Sequence, residues 1–156
     1  MTEKSNEELK KCEAKLNALT ILVGGLSRSM EAVMGKGGRA VAYKMGRDGG
    51  KRIAKKLGKA ESIKEAITKL TSEIGDLYDI EIKENGDEIE LTTNYCYIRE
   101  VIKKRQAVGL KPAGTLCRVT RGYLESVIEE MTGKKVQLKL IESDLEKDFC
   151  KVTLKG

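Results

Sequence analysis

Gly38, Ala42, Gly46 and Gly50 recur at four-residue intervals in the stretch 38–50, and this seam constrains the fold more than any other feature of the sequence. At 3.6 residues per turn such positions fall on one face of a helix, which is left almost without side chains. A glycine inside a helix costs roughly 1 kcal/mol relative to alanine. Repeating that cost along one face makes sense where something must approach the backbone closely. Tight helix–helix packing is the simpler reading; a ligand or a partner subunit lying on the seam is the other. The preceding Gly35-Lys-Gly-Gly-Arg-Ala40 lacks the GxxxxGK[ST] spacing of a phosphate loop and follows a helix rather than a strand, which favours a helix–helix turn.

The flanking segments supply the other elements. Leu9, Cys12, Leu16, Leu19 and Val23 alternate spacings of three and four, and Leu22, Leu26, Met30 and Val33 continue the stripe. This predicts one long amphipathic helix or two nearly continuous ones, capped by Ser5 or Asn6 and with a kink at Gly24-Gly25. Ile63, Ile67, Leu70 and Ile74 mark a helix over 61–75. The period then changes to two on both sides of Asn85-Gly86, the strongest short-range hairpin signal. A short helix over 98–105, a loop at 109–114 around Pro112, a helix over 115–131 stopped by Gly133, and strands over 136–141 and 149–154 complete the chain. The order helices, hairpin, helices, hairpin predicts an α+β fold in which N-terminal helices pack on a mostly antiparallel four-stranded sheet. Residues 1–156 read as a single domain, with 1–19 as an N-terminal helical extension.

Composition narrows the function. The chain has no histidine, so histidine triads and histidine-ligated haem are excluded, and there is no CxxC zinc-finger spacing. No apolar run is long enough to span a membrane, and the first residues do not resemble a secretory signal, so the expected location is cytoplasmic with reduced cysteines. Charged residues at 35% with no histidine or tryptophan lean toward a thermophilic source. The net charge of +6 is uneven: residues 21–59 carry ten Lys/Arg against Glu31 and Asp48, whereas 60–100 carry four basic residues against eleven acidic. This predicts complementary surfaces within the fold or across a dimer. Lys44, Arg47, Lys51, Lys55 and Lys59 line one face of the helix 36–59, which reads first as a solvated face. Nucleic-acid binding or protein docking is the alternative, but no aromatic residues interleave the stripe to stack bases.

Cys96, Cys117 and Cys150 fall at the end of a hairpin, the start of a helix and the start of the last strand. Three thiolates converging there would suit zinc, with Glu142, Asp148 or Cys12 as a further ligand; buried small hydrophobes are the plainer reading. Cys12, on the apolar stripe, reads as core. Tyr95, Tyr97 and Tyr123 cluster around the cysteine-bearing segments and would serve as pocket wall or as core. A metal- or thiolate-dependent enzyme is a further alternative, although no catalytic constellation is visible.

Gly-Gly-Arg-Ala at 37–40, Tyr43-Lys-Met-Gly46 with Gly50, Cys117 through Gly122-Tyr-Leu-Glu125 to Thr132-Gly-Lys-Lys-Val136, and Phe149-Cys150 together resemble the 4-vinyl reductase domain family, also labelled hydrocarbon-binding proteins. The resemblance covers roughly residues 20–155 and is similar to stand-alone archaeal members. It implies the α+β fold of TRAPP vesicle-tethering subunits and haem-nitric-oxide-binding domains, a small apolar ligand held between helices and sheet, and dimerisation through helices. It also implies that Cys117 and Cys150 match cysteines proposed as metal ligands in the family. Ser143 stands near where many members carry another cysteine, so Cys96 would have to complete such a set. The resulting expectation is a homodimeric domain binding a small apolar or hydrocarbon-like molecule, with Leu26, Met30, Met34, Tyr43, Tyr95 and Tyr123 as ligand-binding residues. Cys96, Cys117 and Cys150 would form a zinc or redox site.

Overall fold

The computed structural model describes residues 3–75, 77–85, 88–107, 109, 114–144, 146–147 and 149–155. They form α1 (Glu3–Met34), α2 (Lys36–Leu57), α3 (Ile63–Ile74), β1 (Tyr78–Asn85), β2 (Glu88–Cys96), α4 (Tyr97–Ala107), α5 (Thr115–Thr132), β3 (Gln137–Asp144) and β4 (Phe149–Lys155). The fold is α+β, as expected. α1 is unbroken: it starts upstream of Ser5 and passes Gly24-Gly25 without interruption. The break falls at Gly35, whose φ of 52° lies in the left-handed region that suits glycine. Ser62 caps α3 by accepting the Glu65 backbone N–H at 3.1 Å. Gly133, at φ 72°, closes α5 in the left-handed conformation, its N–H donating to the Glu129 carbonyl. The turn residue Gly86, the proline at 112 and Asp148 lie outside the described residues.

All strand pairings are antiparallel and the sheet order is β1-β2-β4-β3. The second hairpin thus returns with its last strand, β4, against β2. Ile80, Ile82, Ile89, Leu91, Val152, Leu154 and Leu138 share one sheet face through these registers, and α3 and α5 cover it with Ile67 and Ile128. The opposite face is polar; there Lys151 pairs with Glu90 at 2.9 Å and Lys155 with Glu88 at 2.5 Å. A register shift beside Asp79 places Tyr78 opposite Cys96 and Ile80 opposite Thr93, so Cys96 and Thr93 share a face although three residues apart.

The glycine seam packs α2 along α5. A Cβ at Gly46 would stand 2.9 Å from the Tyr123 backbone nitrogen, and one at Gly50 would stand 2.5 Å from the Tyr123 carbonyl oxygen. Gly122 faces back, where a Cβ would meet Arg47 N at 3.2 Å. The helices run parallel, because later positions on α2 meet later positions on α5. Polar bonds follow the same ladder: Tyr43 OH donates to Glu125, Ser126 OH donates to the Arg47 carbonyl at 2.8 Å, and Arg47 donates to Glu129 at 2.6 Å. Tight helix packing is therefore what the glycines serve.

Candidate functional site

An apolar cleft of about 190 Å³ opens where three elements meet α5. It is lined by Ile74 of α3, Leu77 and Tyr78 at the entry to β1, Tyr97 opening α4, and Val119, Thr120 and Tyr123 on one face of α5. Two backbone bonds hold its rim: Leu77 N–H donates to the Ile74 carbonyl at 2.8 Å, and Tyr97 N–H to the Leu77 carbonyl at 3.1 Å. The Tyr78 and Tyr97 rings meet edge to face, with centroids 5.4 Å apart and planes at 77°. The Tyr78 hydroxyl lies 3.4 Å from the Thr120 hydroxyl. On the far side the glycine seam supports the wall, since Gly46 and Gly50 press on the backbone of Val119 and Tyr123. Burial raises the pKa of Tyr78, Tyr97 and Tyr123, so all three stay neutral phenols at physiological pH. Such a site offers apolar area, ring edges and neutral hydroxyls, and no charged group lines it among the described residues.

A second, more open cleft of about 300 Å³ lies between α2 and α5, lined by Arg39, Ala40, Tyr43, Arg118 and Arg121. Beneath it Glu125, 1% exposed, accepts from the Tyr43 hydroxyl, from Arg121 Nε at 2.9 Å and from the Leu138 N–H at 2.7 Å. This buried carboxylate is fully bonded and ties α2, α5 and β3 together.

The expected site residues are dispersed. Tyr123 lines the aromatic cleft and Tyr43 the arginine cleft. Leu26 (58% exposed) and Met34 (46% exposed) lie on the open face of α1, and Met30, half-buried, packs its carbonyl against Gly38. None of these three lines either cleft, so the apolar wall expected from them is not assembled within the chain. The physical reason is that α2 turns back at Gly35 and docks on α5, leaving the apolar stripe of α1 uncovered. Tyr95 is exposed, its hydroxyl donating to Glu100 at 2.8 Å. Ile74, Leu77, Tyr78, Val119 and Thr120 were missed as site residues. Counting outward from a two-residue turn at Asn85-Gly86 would set Tyr78 opposite Thr93, whereas the observed register pairs Asn85 with Glu88 and, after the shift beside Asp79, Tyr78 with Cys96, so the sequence offered no signal that Tyr78 would stand beside Tyr97.

The cysteines do converge electrostatically. Desolvation by the surrounding protein, then the neighbouring Cys96 and Cys150, push the Cys117 thiol up to about 11, although the residue reaches the surface. Cys150 is raised by burial as well. Cys150 stands opposite Thr93 on β2 and Ser143 on β3. Among the described residues no group of three or more Cys, Asp or Glu side chains is arranged to hold a metal ion; Asp148, one of the further ligands expected, lies outside them. Cys12 is exposed rather than core.

Much of the basic stripe on α2 is stitched to the chain's own acids. Lys44 pairs with Asp48 at 2.9 Å, Lys51 with Glu130 at 3.8 Å, and Lys56 with Glu73, while Lys59 donates to the Glu130 carbonyl at 3.0 Å. Among the described residues no helix is long and apolar enough to cross a membrane.

A helical layer on one face of a four-stranded antiparallel sheet, with an aromatic cleft where helices and strands meet, defines the class: an α+β domain. Within that class the chain belongs to the MJ0207 family, which it matches over residues 23–156. No curated protein matches its sequence. Among solved structures it is similar to the phenol-responsive sensory domain of the transcription activator PoxR with phenol, with a TM-score of 0.66 at 17% identity, covering 88% of this chain and 74% of that one. It is also similar to trafficking protein particle complex subunit 3 from Naegleria fowleri, covalently bound to palmitic acid, with a TM-score of 0.55 at 15% identity, covering 90% and 95%. At these identities the likeness is one of fold. It is the wider fold that the TRAPP resemblance implied.

Proposed function

We propose that the chain, as one domain over residues 1–156, binds a small apolar or aromatic molecule in the cleft formed by Ile74, Leu77, Tyr78, Tyr97, Val119, Thr120 and Tyr123. The tyrosine-walled cleft carries this reading. An apolar cavity of roughly 150 Å³ is enough for benzene, so about 190 Å³ suits a single ring or a short chain better than a long acyl chain. The PoxR sensory domain is phenol-responsive and holds phenol in its structure, and the hydrocarbon-binding resemblance points to similar chemistry. Tyr97 and Thr120 would give a ligand hydroxyl its hydrogen bond.

The domain works as a homodimer in this reading. Leu9, Leu16, Leu19, Val23, Leu26 and Val33 fall at spacings of three, four and seven residues along α1, the pattern of a coiled-coil seam, and all six are exposed. A second copy of α1 is the covering that such a seam suits.

Ligand-observed NMR with phenol and toluene tests the pocket. Saturable binding of both is expected, with Tyr97→Phe weakening phenol more than toluene and Leu77→Trp, at the exposed mouth, abolishing both. No saturable binding by the folded wild type, or full binding by Leu77→Trp, refutes it.

A further inference from the structure

We infer that the cleft between the N-terminal halves of α2 and α5 is a second binding site, for a phosphomonoester group held by Arg39, Arg118 and Arg121 with Tyr43. Three guanidinium-bearing side chains share one cleft of about 300 Å³. The carboxylates around it are already engaged. Glu125 lies beneath, bonded to Tyr43, Arg121 and the Leu138 N–H. Glu31 accepts the Thr115 N–H at 2.8 Å and lies 3.9 Å from Arg28. Neither Arg39 nor Arg118 forms an ion pair among the described residues, whereas Lys44, Arg47, Lys51 and Lys56 on the same helix all do. Of the three arginines only Arg121 is compensated, so the cleft keeps two uncompensated positive charges.

The helices add to that field. α2 and α5 run parallel, so both positive dipole ends lie at this end of the pair; α2 has no acidic residue in its first turn, while the α5 end is met by Glu31 through the Thr115 N–H. Like charges gathered in a cleft repel one another unless an anion enters. Two uncompensated positive charges match a dianion, and arginine forks engage phosphate oxygens in pairs. Ala40 leaves the floor shallow enough for the group to sit against α2. The guanidinium groups carry this site, not the glycine turn before α2. It faces away from the aromatic cleft, since Arg118 and Arg121 occupy a different side of α5 from Val119, Thr120 and Tyr123.

The test is isothermal titration of the full chain with inorganic phosphate and phenyl phosphate at low ionic strength, with vesicles containing phosphatidic acid as a separate arm. Saturable phosphate binding is expected, weakened about tenfold by Arg39→Gln or Arg118→Gln, lost in the double variant, and unchanged in Lys55→Gln and Leu77→Trp. Binding of phenyl phosphate assigns the source to a soluble phosphomonoester. Binding of the vesicles alone, with the same arginine dependence, assigns it to a lipid headgroup, and both outcomes uphold the site. No binding in any arm by folded protein overturns it, as does binding that survives the double variant. Retention of duplex DNA that depends on Lys51 and Lys55 but not on Arg39 and Arg118, without phosphate binding, also overturns it.

Discussion

Alanine in place of glycine should have opposite effects on stability at two helical positions of this chain. In the interior of an exposed helix the substitution gains about 1 kcal/mol, because alanine loses less conformational freedom on folding. Gly25 meets that description: a Cβ there finds nothing within 4 Å. At Gly46 the same methyl would stand 2.9 Å from both Tyr123 N and the Val119 carbonyl carbon, and closer still to the carbonyl oxygen. Those are backbone atoms of α5, which cannot rotate away. To reach an ordinary contact of 3.4 Å the two helices must part by at least ~0.5 Å along the seam. The Ser126–Arg47, Arg47–Glu129 and Tyr43–Glu125 bonds all span that gap. Overpacking costs about 1–3 kcal/mol and each of the three weakened hydrogen bonds about 0.5 kcal/mol, against the gain of about 1 from helix propensity, so the net loss is about 1.5–3.5 kcal/mol. Urea unfolding followed by far-ultraviolet circular dichroism reads both variants. Gly25→Ala should raise the midpoint and Gly46→Ala lower it, each with an unchanged m-value. A Gly46→Ala protein as stable as wild type would refute the view that backbone contact between α2 and α5 requires the glycines.

Two further outcomes follow from the same structure. Cys117 should resist alkylation at neutral pH, its rate rising with pH toward about 11, as followed by mass spectrometry of iodoacetamide-treated protein. The folded chain holds that proton more tightly than the unfolded chain does, so this thiol's contribution to stability is complete below about 9.0 and is lost as pH rises to about 11; fast modification of Cys117 at pH 7 would contradict the raised pKa. Leu19→Glu with Leu26→Glu should convert a dimer into a folded monomer in sedimentation velocity, and a wild-type chain that stays monomeric at high concentration would remove the α1 seam as an interface.

The sequence by itself determined the local elements. Glycine breaks, three-to-four spacing and the switch to alternation around Asn85-Gly86 act over a few residues, and each helix and strand of the fold follows one of them. The close packing promised by Gly38, Ala42, Gly46 and Gly50 was legible too, because side-chain absence on one face is a local property. Its partner was not: nothing near residue 46 says that α5, some seventy residues later, will lie along it. The strand order β1-β2-β4-β3 likewise depends on which hairpin edge the intervening helices leave open. The candidate site shows the same division. Periodicity marks Leu26, Met30 and Met34 as an apolar stripe, but it cannot say whether a core, a ligand or another chain covers that stripe. Within this chain α2 and α5 pair with each other, leaving α1 open, and the aromatic cleft forms elsewhere, where Ile74, Tyr78, Tyr97 and Tyr123 arrive from four different elements. A pocket gathered from distant segments has no signature in any one of them, and only tertiary packing brings its walls together.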